Sequence, residues 1–384
     1  MNNKIVWQDK ITLDSNPQKP QKKESVSFEI MHMEKVVARF VTNGKSEILL
    51  EKFMPYDLWL DTDDENDIDI LMNNVNNFYH WCASRVLSLD RKYAKEIMNS
   101  IGVAQAVTDR ERADISLSYH CVSLTDVYWV RRKGEDISFA ELNLYDNPLN
   151  EAIVELSLKG RQMTVTNKEL APDLSTKGCF PKAWIRNENG FKLLKDGDEA
   201  VVKRELLASE ICQCFDIPQV TYREFFYNGE RVTESDIITS KEISMVSKMA
   251  VDIYACNHDF DTIERCRQLD PVTYYGMNIL DYLIGNTDRH PENWGFLVDN
   301  STNELISLYP LMDFNQSFLS YDNIDGARCQ TVGKRQLSQR EAAIEAVKHI
   351  GLRQIKDMDM SCFDDMKKEA EMFELRLKEL KIVK

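Results

Sequence analysis

Long apolar runs are absent from this chain of 384 residues. No stretch approaches the roughly 20 residues that an α-helix needs to cross a bilayer. The first residues, Met-Asn-Asn-Lys-Ile-Val-Trp, also lack the apolar core of a secretory signal. These two absences predict a cytoplasmic protein that does not associate with membranes.

Basic residues are scarce relative to acidic ones. The sequence has 48 lysines and arginines against 63 aspartates and glutamates, which gives a formal charge of −15. A nucleic-acid-binding surface requires a basic face, and no segment has the pattern of a DNA-recognition helix. We therefore expect no direct contact with nucleic acid.

Sequence patterns for disulfides and for calcium are also missing. The nine cysteines are odd in number and contain no Cys-x-x-Cys pair, which indicates reduced thiols. The acidic run at residues 61–69 lacks the glycine that a calcium-binding loop requires, so a solvated loop or helix start is expected there.

What the chain does contain is strand-like patterning followed by helical patterning. Alternating apolar residues predict strands up to about residue 235. The predicted strands include residues 26–30, 36–40, 48–50, 115–118, 127–130, 183–186 and 191–194. The predicted helices cover residues 70–87, 91–101, 198–215, 274–284, 338–349 and 362–380.

The motif Asn-Thr-Asp-Arg-His-Pro-Glu-Asn at residues 286–293 precedes an apolar hairpin, whose second strand is followed by Met-Asp-Phe-Asn at residues 312–315. Because the two ends of an antiparallel hairpin lie side by side, we expect Asn293 to lie near Asp313. A carboxylate and an amide oxygen suit Mg²⁺, which keeps phosphates and waters as its other ligands. Asp288, on the same loop, could orient an attacking hydroxyl. The set therefore predicts phosphoryl transfer from ATP.

The nucleotide-binding half of the site is predicted in the strand-rich part of the chain. A loop with hydroxyls, glycine and two lysines enters a predicted hairpin, where backbone N–H groups and cations can bind phosphates. Lys195 ends the second strand of that hairpin, and Glu205 lies on the helix that follows. A strand lysine on the nucleotide phosphates, held by a helix glutamate, is the arrangement that kinases use. The loop residues predicted to bind the nucleotide are Ser175, Thr176, Gly178 and Lys182.

Each candidate residue alone has an ordinary structural interpretation. An aspartate or asparagine at a strand end is usually a cap or a turn residue, whereas Lys195 and Glu205 alone could be a solvent lysine and a surface glutamate. His290 is counted among the catalytic candidates, although a hydrogen bond that shapes the loop is the favoured interpretation. The spacing of the whole set is what favours a catalytic site.

The Asn-Thr-Asp-Arg-His-x-x-Asn signature, the later Asp-Phe and the upstream Ser-x-x-Gly-x-x-x-Lys loop resemble the HipA-type serine/threonine kinases, the toxin halves of bacterial toxin–antitoxin pairs. The resemblance is strongest over about residues 170–320, extends to the C-terminus and leaves residues 1–110 unmatched. It implies that Asp288 is the catalytic base, that Asn293 and Asp313 bind Mg²⁺, and that Lys195 contacts the nucleotide.

The resemblance also has implications for regulation. In this family the serine that begins the phosphate loop can be phosphorylated, which ejects the loop and silences the enzyme, and Ser175 occupies that position. Phe314 and Asn315 follow the metal-binding aspartate where eukaryotic kinases have Phe-Gly, so a flipping segment of the eukaryotic kind is not expected.

The sequence therefore predicts an α+β fold with two kinase-like lobes. The expected units are an additional α+β region at residues 1–110, a strand-rich nucleotide-binding lobe at 111–238 and a helical catalytic lobe at 239–384. The leading hypothesis is an ATP- and Mg²⁺-dependent kinase that acts on a Ser or Thr hydroxyl of a protein substrate. Two alternatives stay open, a small-molecule or lipid kinase and a nucleotide-gated binding partner of a separate DNA-binding antitoxin.

Overall fold

The computed structural model describes residues 25–86, 108–147, 182–188, 190–319 and 321–383. The strands within these ranges form three antiparallel sheets. The helix predicted at residues 91–101 and the phosphate-loop residues Ser175, Thr176 and Gly178 lie outside the described residues.

The first sheet contains β1 Ser27–His32, β2 Lys35–Val41, β3 Ser46–Ile48 and β4 Tyr128–Arg132, in the order β3-β2-β1-β4. The strands predicted at residues 26–30, 36–40 and 127–130 are confirmed, whereas the strand predicted at residues 48–50 lies two residues earlier, at Ser46–Ile48. Gly44, in the turn between β2 and β3, has φ +94°, and a Cβ there would lie 2.2 Å from the Leu71 carbonyl oxygen. Only glycine fits this turn.

Three helices accompany the first sheet, namely α1 Ile68–Ala83, α2 Asp109–Ser118 and α3 Phe139–Leu142. The prediction of a strand at residues 115–118 is wrong, because these residues end α2. The Thr108 hydroxyl accepts a hydrogen bond from the Glu111 N–H, and the Glu111 carboxylate accepts one from the Thr108 N–H. This capping box starts a helix and overrides the alternating pattern of Ile115 and Leu117.

The second sheet contains β5 Lys182–Asn187, β6 Gly190–Lys195, β7 Arg223–Tyr227 and β8 Glu230–Asp236, in the order β5-β6-β8-β7. The predicted hairpin of β5 and β6 is confirmed. Helix α4, Glu199–Cys212, follows β6, and the Asp198 carboxylate caps it by accepting a hydrogen bond from the Val201 N–H at 2.8 Å. The helix ends earlier than the predicted Phe215.

The C-terminal part of the chain is mostly helical, as predicted. Its small sheet has the order β11-β10-β9 and contains β9 Ile243–Ser247, β10 Gly295–Asp299 and β11 Glu304–Leu308. The helices are α5 Lys248–His258, α6 Thr262–Leu269, α7 Pro271–Ile284, α8 Gln339–Ile350 and α9 Lys367–Lys381. Every residue of α7 from Thr273 to Ile284 is buried. Helix α7 is therefore the centre of this region, packed by α4, α6, α8 and α9.

The N-terminal region is attached to the small sheet through Asn303. This buried residue lies in the turn between β10 and β11 with φ +59°. Its Nδ2 donates hydrogen bonds to the Lys52 carbonyl at 2.9 Å and the Met54 carbonyl at 3.1 Å, while its Oδ1 accepts one from the Tyr128 hydroxyl at 3.0 Å. A buried amide with these partners fixes the position of the turn.

The predicted boundary at residue 110 separates strands that pair with each other. Strand β4 lies beyond that boundary, yet it pairs with β1. The Thr125 carbonyl also accepts a hydrogen bond from the Met245 N–H at 2.9 Å. The division of the chain at 110 and 238 stays a prediction, and the strand pairing favours a first unit that extends to about residue 147.

Two further properties concern the described ranges alone. No helix within them is both long and apolar enough to span a membrane. The eight cysteines within them are free thiols, and six of the eight are buried.

Candidate active site

The loop that carries Asp288 begins where α7 ends. Gly285 ends the helix with φ +60°, and a Cβ there would lie 2.4 Å from the Tyr321 ring, so glycine is required. The buried Asn286 donates its N–H to the Asp281 carbonyl at 2.9 Å, and its Oδ1 accepts the Asp288 N–H at 3.1 Å. The helix end and Asn286 together set the backbone position of Asp288.

Arg289 is the buried centre of the loop. Its guanidinium donates two hydrogen bonds of 2.9 Å to the Asp281 carboxylate. Its Nη1 also donates to the Asn293 carbonyl at 3.1 Å and the Met312 carbonyl at 2.6 Å. Burial acts to lower the pKa of Arg289, but Asp281 raises this pKa above its ordinary value. One side chain thus joins α7, the loop and the segment that carries Asp313.

Asp288, His290 and Asn293 form the accessible part of the loop. The Asn293 Nδ2 donates to the Asp288 carbonyl and lies 3.5 Å from an Asp288 carboxylate oxygen. His290 Nδ1 accepts the Glu292 N–H at 3.2 Å, and its Nε2 lies 4.0 Å from the Asp288 carboxylate. The Asp288 side chain is 47% exposed, so it is accessible from solvent. His290 shapes the loop through Nδ1, whereas a catalytic role for it stays a prediction.

Asp313 lies beyond β11, where the two lobes meet. Its φ is +59°, a backbone region that a non-glycine residue occupies only where its surroundings hold it. Its N–H donates to the Tyr222 hydroxyl at 3.1 Å. Nearby, the Leu311 N–H donates to the Pro218 carbonyl at 3.0 Å, and the Leu311 carbonyl accepts the Val220 N–H at 2.8 Å. These contacts fix Asp313 against the strand-rich lobe.

Lys195, the last residue of β6, is only 4% exposed. Its Nζ donates to the Glu205 carboxylate at 2.8 Å, to the Tyr222 hydroxyl at 2.9 Å and to the Asp313 carboxylate. Glu205, which is 2% exposed, also accepts a hydrogen bond from the Thr233 hydroxyl at 2.7 Å. The structure therefore brings the strand lysine and the helix glutamate together and adds Asp313, 118 residues further along the chain.

Two lysines surround the Asp313 carboxylate. Lys182 is paired with Lys195 across β5 and β6, and its Nζ lies 3.5 Å from the Asp313 carboxylate. Burial acts to raise the pKa of Asp313, but Lys182, Lys195 and Arg289 outweigh it and hold this pKa well below its usual range. Burial acts to lower the pKa of Lys195, yet Asp313 and Glu205 raise it well above its ordinary value. Asp313 and Lys195 are therefore both charged at neutral pH.

The oxygen donors of this site suit a magnesium ion. Asp313 is ionised, and Asn293 offers an amide oxygen while its nitrogen is bonded to Asp288. Over the described ranges, no three His, Cys, Asp or Glu residues cluster as a metal site made by protein alone. Mg²⁺ commonly uses one or two protein carboxylates and keeps phosphates and waters as its other ligands. The donor set therefore fits Mg²⁺ that binds together with a nucleotide.

Two glutamines donate hydrogen bonds to backbone carbonyls of the loop that carries Asp288. Gln339, buried at the start of α8, donates to the Asn286 carbonyl at 2.6 Å and accepts the Ala327 N–H at 3.0 Å. Gln330 donates to the Thr287 carbonyl at 3.0 Å. Both glutamines line a cavity of about 10 Å³, which is room for about one water molecule.

We compared the sequence and the structure with those of known proteins. No family model and no curated protein matches the sequence. The structure resembles HipA of Shewanella oneidensis MR-1, solved as a toxin–antitoxin complex of HipA, HipB and its operator DNA. The match covers 93% of this chain and 91% of that chain, with a TM-score of 0.51 and 11% sequence identity. The fold is HipA-like.

A second solved structure, the Helicobacter pylori proinflammatory kinase CtkA, covers 52% of this chain and 88% of that chain, with a TM-score of 0.41 and 16% identity. At 11% identity, the likeness to HipA shows the fold and not the activity. The predicted fold class, a two-lobed HipA-type α+β fold, is confirmed. The resemblance to HipA that the sequence motifs indicated is confirmed at the level of the fold.

Several residues that build the candidate site were not identified from the sequence. Asp281 is the one charged residue of α7, and a carboxylate in an otherwise apolar helix is a signal for a buried ion pair. Arg289 lies inside the motif at residues 286–293, and its position there is the signal for it. Tyr222 and Gln339 have no local signal, because their partners are remote in the sequence.

Proposed function

We propose that this protein is an ATP- and Mg²⁺-dependent serine/threonine kinase that acts on protein substrates. The observation that carries the proposal is the buried group in which Lys195 contacts both Glu205 and Asp313, beside the loop of Asp288. Phosphoryl transfer requires cations on the phosphates and a carboxylate at the acceptor, and little else from the protein. The HipA-like fold supports the same proposal.

Each residue has a role that follows from its surroundings. Asn293 and Asp313 hold Mg²⁺, which when bound neutralises charge on the phosphates. Lys195 exchanges its contact with Asp313 for a nucleotide phosphate and keeps its contact with Glu205, so the buried cation retains an anionic partner. Asp288 orients the acceptor hydroxyl and accepts its proton.

The loop that precedes β5 completes the nucleotide site in this proposal. Lys182, the first residue of β5, lies 3.5 Å from the Asp313 carboxylate, so β5 begins beside the proposed metal ligand. We assign phosphate contacts to Ser175, Thr176 and Gly178, and we propose that phosphorylation of Ser175 silences the enzyme.

A direct test is transfer of labelled γ-phosphate from ATP·Mg²⁺ to the protein itself and to lysate proteins. We compare the wild type with Asp288→Asn and with a control, Asp136→Asn, which removes an exposed carboxylate of the N-terminal region. Transfer by the wild type and the control, reduced by about 10²-fold or more in Asp288→Asn, is the expected result. Mass spectrometry then locates the label.

The outcomes separate the parts of the proposal. Label at Ser175 supports both the kinase activity and the silencing loop, whereas label only at other positions supports the kinase and removes the silencing. ATP binding without any transfer contradicts a protein kinase. It would favour the small-molecule or lipid kinase, or a binding protein gated by nucleotide.

A separate DNA-binding partner is a further part of the proposal. The HipA structure that this fold resembles contains HipB and operator DNA. With a formal charge of −15, this chain is poorly suited to bind DNA itself, so we assign any operator contact to the partner. Co-purification of a small DNA-binding protein with the chain is expected, and direct operator binding by the isolated chain would contradict this assignment.

A further inference from the structure

Residues 326–340 form a basic segment in an acidic protein. This segment contains four lysines and arginines and no aspartate or glutamate, although the whole chain has a formal charge of −15. It folds back on itself, because the Cys329 N–H donates to the Leu337 carbonyl at 2.8 Å and the Gln339 N–H donates to the Ala327 carbonyl at 2.8 Å. The backbone of the segment is therefore held in one conformation.

Two of the four cations are neutralised within the protein. Arg335 forms hydrogen bonds of 2.7 and 2.5 Å to the Glu345 carboxylate. Arg340 contacts the Glu379 carboxylate and also Asp325 at 3.4 Å. These two arginines hold the segment to the helical lobe and have no charge left to offer a ligand.

The other two cations, Arg328 and Lys334, are exposed. Among the residues that the structure describes, neither one has a carboxylate partner within ion-pair distance. In a chain with an excess of acidic residues, an arginine without an acidic partner is available for an anion from outside.

Arg328 differs from Lys334 in its position. It lines the same cavity as Thr287 and Arg289, the residues on either side of Asp288. Its neighbour Gln330 is bonded to the Thr287 carbonyl at 3.0 Å, which fixes this part of the segment to the loop. Lys334 does not line the cavity. Arg328 therefore lies next to the loop that carries Asp288.

We infer that Arg328 binds an aspartate or glutamate carboxylate of the acceptor peptide, so that the enzyme selects Ser or Thr residues with an acidic neighbour. The inference rests on the proposed kinase function and names its substrate class.

The test uses the full-length protein and paired peptides that differ only in one residue near the acceptor Ser, either Glu or Gln. We measure kcat/KM for each peptide with the wild type, with Arg328→Ala, with Arg328→Glu and with the matched control Lys334→Ala. The wild type is expected to prefer the Glu peptide roughly fivefold, as a solvent-exposed ion pair allows. The preference should decrease at high salt, because ions screen an exposed pair.

The variants are expected to show that the peptide preference depends on the charge at residue 328 and not on the charge at residue 334. Lys334→Ala retains the preference, Arg328→Ala loses it, and Arg328→Glu reverses it in favour of a peptide with Lys at the same position. Equal rates on Glu and Gln peptides, or the same loss in Lys334→Ala as in Arg328→Ala, would overturn the inference and leave the kinase proposal intact. Absence of transfer to any peptide or lysate protein, with ATP bound, would overturn both.

Discussion

The helical lobe and the strand-rich lobe hold their charged residues in different ways. In the helical lobe, Arg289 is matched by the Asp281 carboxylate and two backbone carbonyls, and every one of these partners is part of the fold. Where the lobes meet, Lys182 and Lys195 both face the Asp313 carboxylate. The first arrangement fixes the loop, whereas the second has contacts that the proposed nucleotide and metal would replace.

The comparison predicts that the largest loss of stability comes from Arg289→Ala. The substitution leaves the buried Asp281 carboxylate without its cation, which costs about 3–5 kcal/mol. Urea unfolding followed by circular dichroism measures the change. Arg289→Lys is the control, since it keeps the charge but loses the planar fork, and an intermediate loss is expected. A change below about 1 kcal/mol in Arg289→Ala would show that this ion pair is not what fixes the loop.

The second prediction concerns Asp313, whose contacts with lysine the proposed nucleotide and metal would replace. Asp313→Asn is expected to lower the rate of phosphoryl transfer by about 10²–10³-fold, because it removes the proposed metal ligand. Stability should fall by about 1–3 kcal/mol, less than in Arg289→Ala, because Lys195 keeps Glu205 as its anionic partner. Paired measurements of rate and urea unfolding decide this. A loss of stability as large as that of Arg289→Ala would contradict the distinction between the Arg289–Asp281 pair and the Lys195–Asp313 contact.

The third prediction concerns the pH dependence of stability, which involves His32 of the N-terminal region. Burial, together with Lys35, lowers the pKa of His32 from 6.5 to about 4. The unfolded chain therefore binds this proton at a higher pH than the folded chain does. The contribution of neutral His32 is complete above pH 6.5 and is lost as the pH falls toward 4, by at most about 3 kcal/mol.

Urea unfolding at pH 7 and at pH 5 tests this prediction. His32 packs between the Phe53 and Tyr128 rings, and neither of its ring nitrogens has a hydrogen-bond partner among the described residues. His32→Phe keeps a ring of similar shape and has no proton to bind, so it should reduce the difference between the two pH values. An unchanged difference would place the titrating group elsewhere.

The smallest expected effect comes from substitution of Gln339, which supports the loop that carries Asp288. Gln339→Leu leaves the Asn286 carbonyl and the Ala327 N–H without their partner, which costs about 1–3 kcal/mol. Because Asn286 also binds the Asp288 N–H, the rate of phosphoryl transfer should decrease as well. The matched control is Gln336→Leu, an exposed residue of the same segment. Equal behaviour of the two variants would argue against support by Gln339.

Much of the local structure could be predicted from the sequence. The cap at Asp198 and the capping box of Ser338 with Glu341 start their helices where the sequence indicates. The hairpin of β10 and β11 is formed as the apolar pattern predicts. These features depend on hydrogen bonds between residues close in the chain.

The one clear error in the strand predictions shows the limit of such patterns. Residues 115–118 have the alternation of a strand, but the capping box of Thr108 and Glu111 starts a helix that contains them. A short alternating run is compatible with both structures, and the start signal decides between them. The helix predicted at residues 91–101 lies outside the described residues and stays a prediction.

The sequence alone determined the chemical types in the candidate site and their spacing along the loop from Asp288 to Asn293. Only the tertiary structure decided that Lys195, Tyr222 and Asp313 converge, and that Arg289 is bound to Asp281. The physical reason is the range of the interactions. Caps and hairpins need partners a few residues away, whereas the convergence depends on how buried helices and sheets pack.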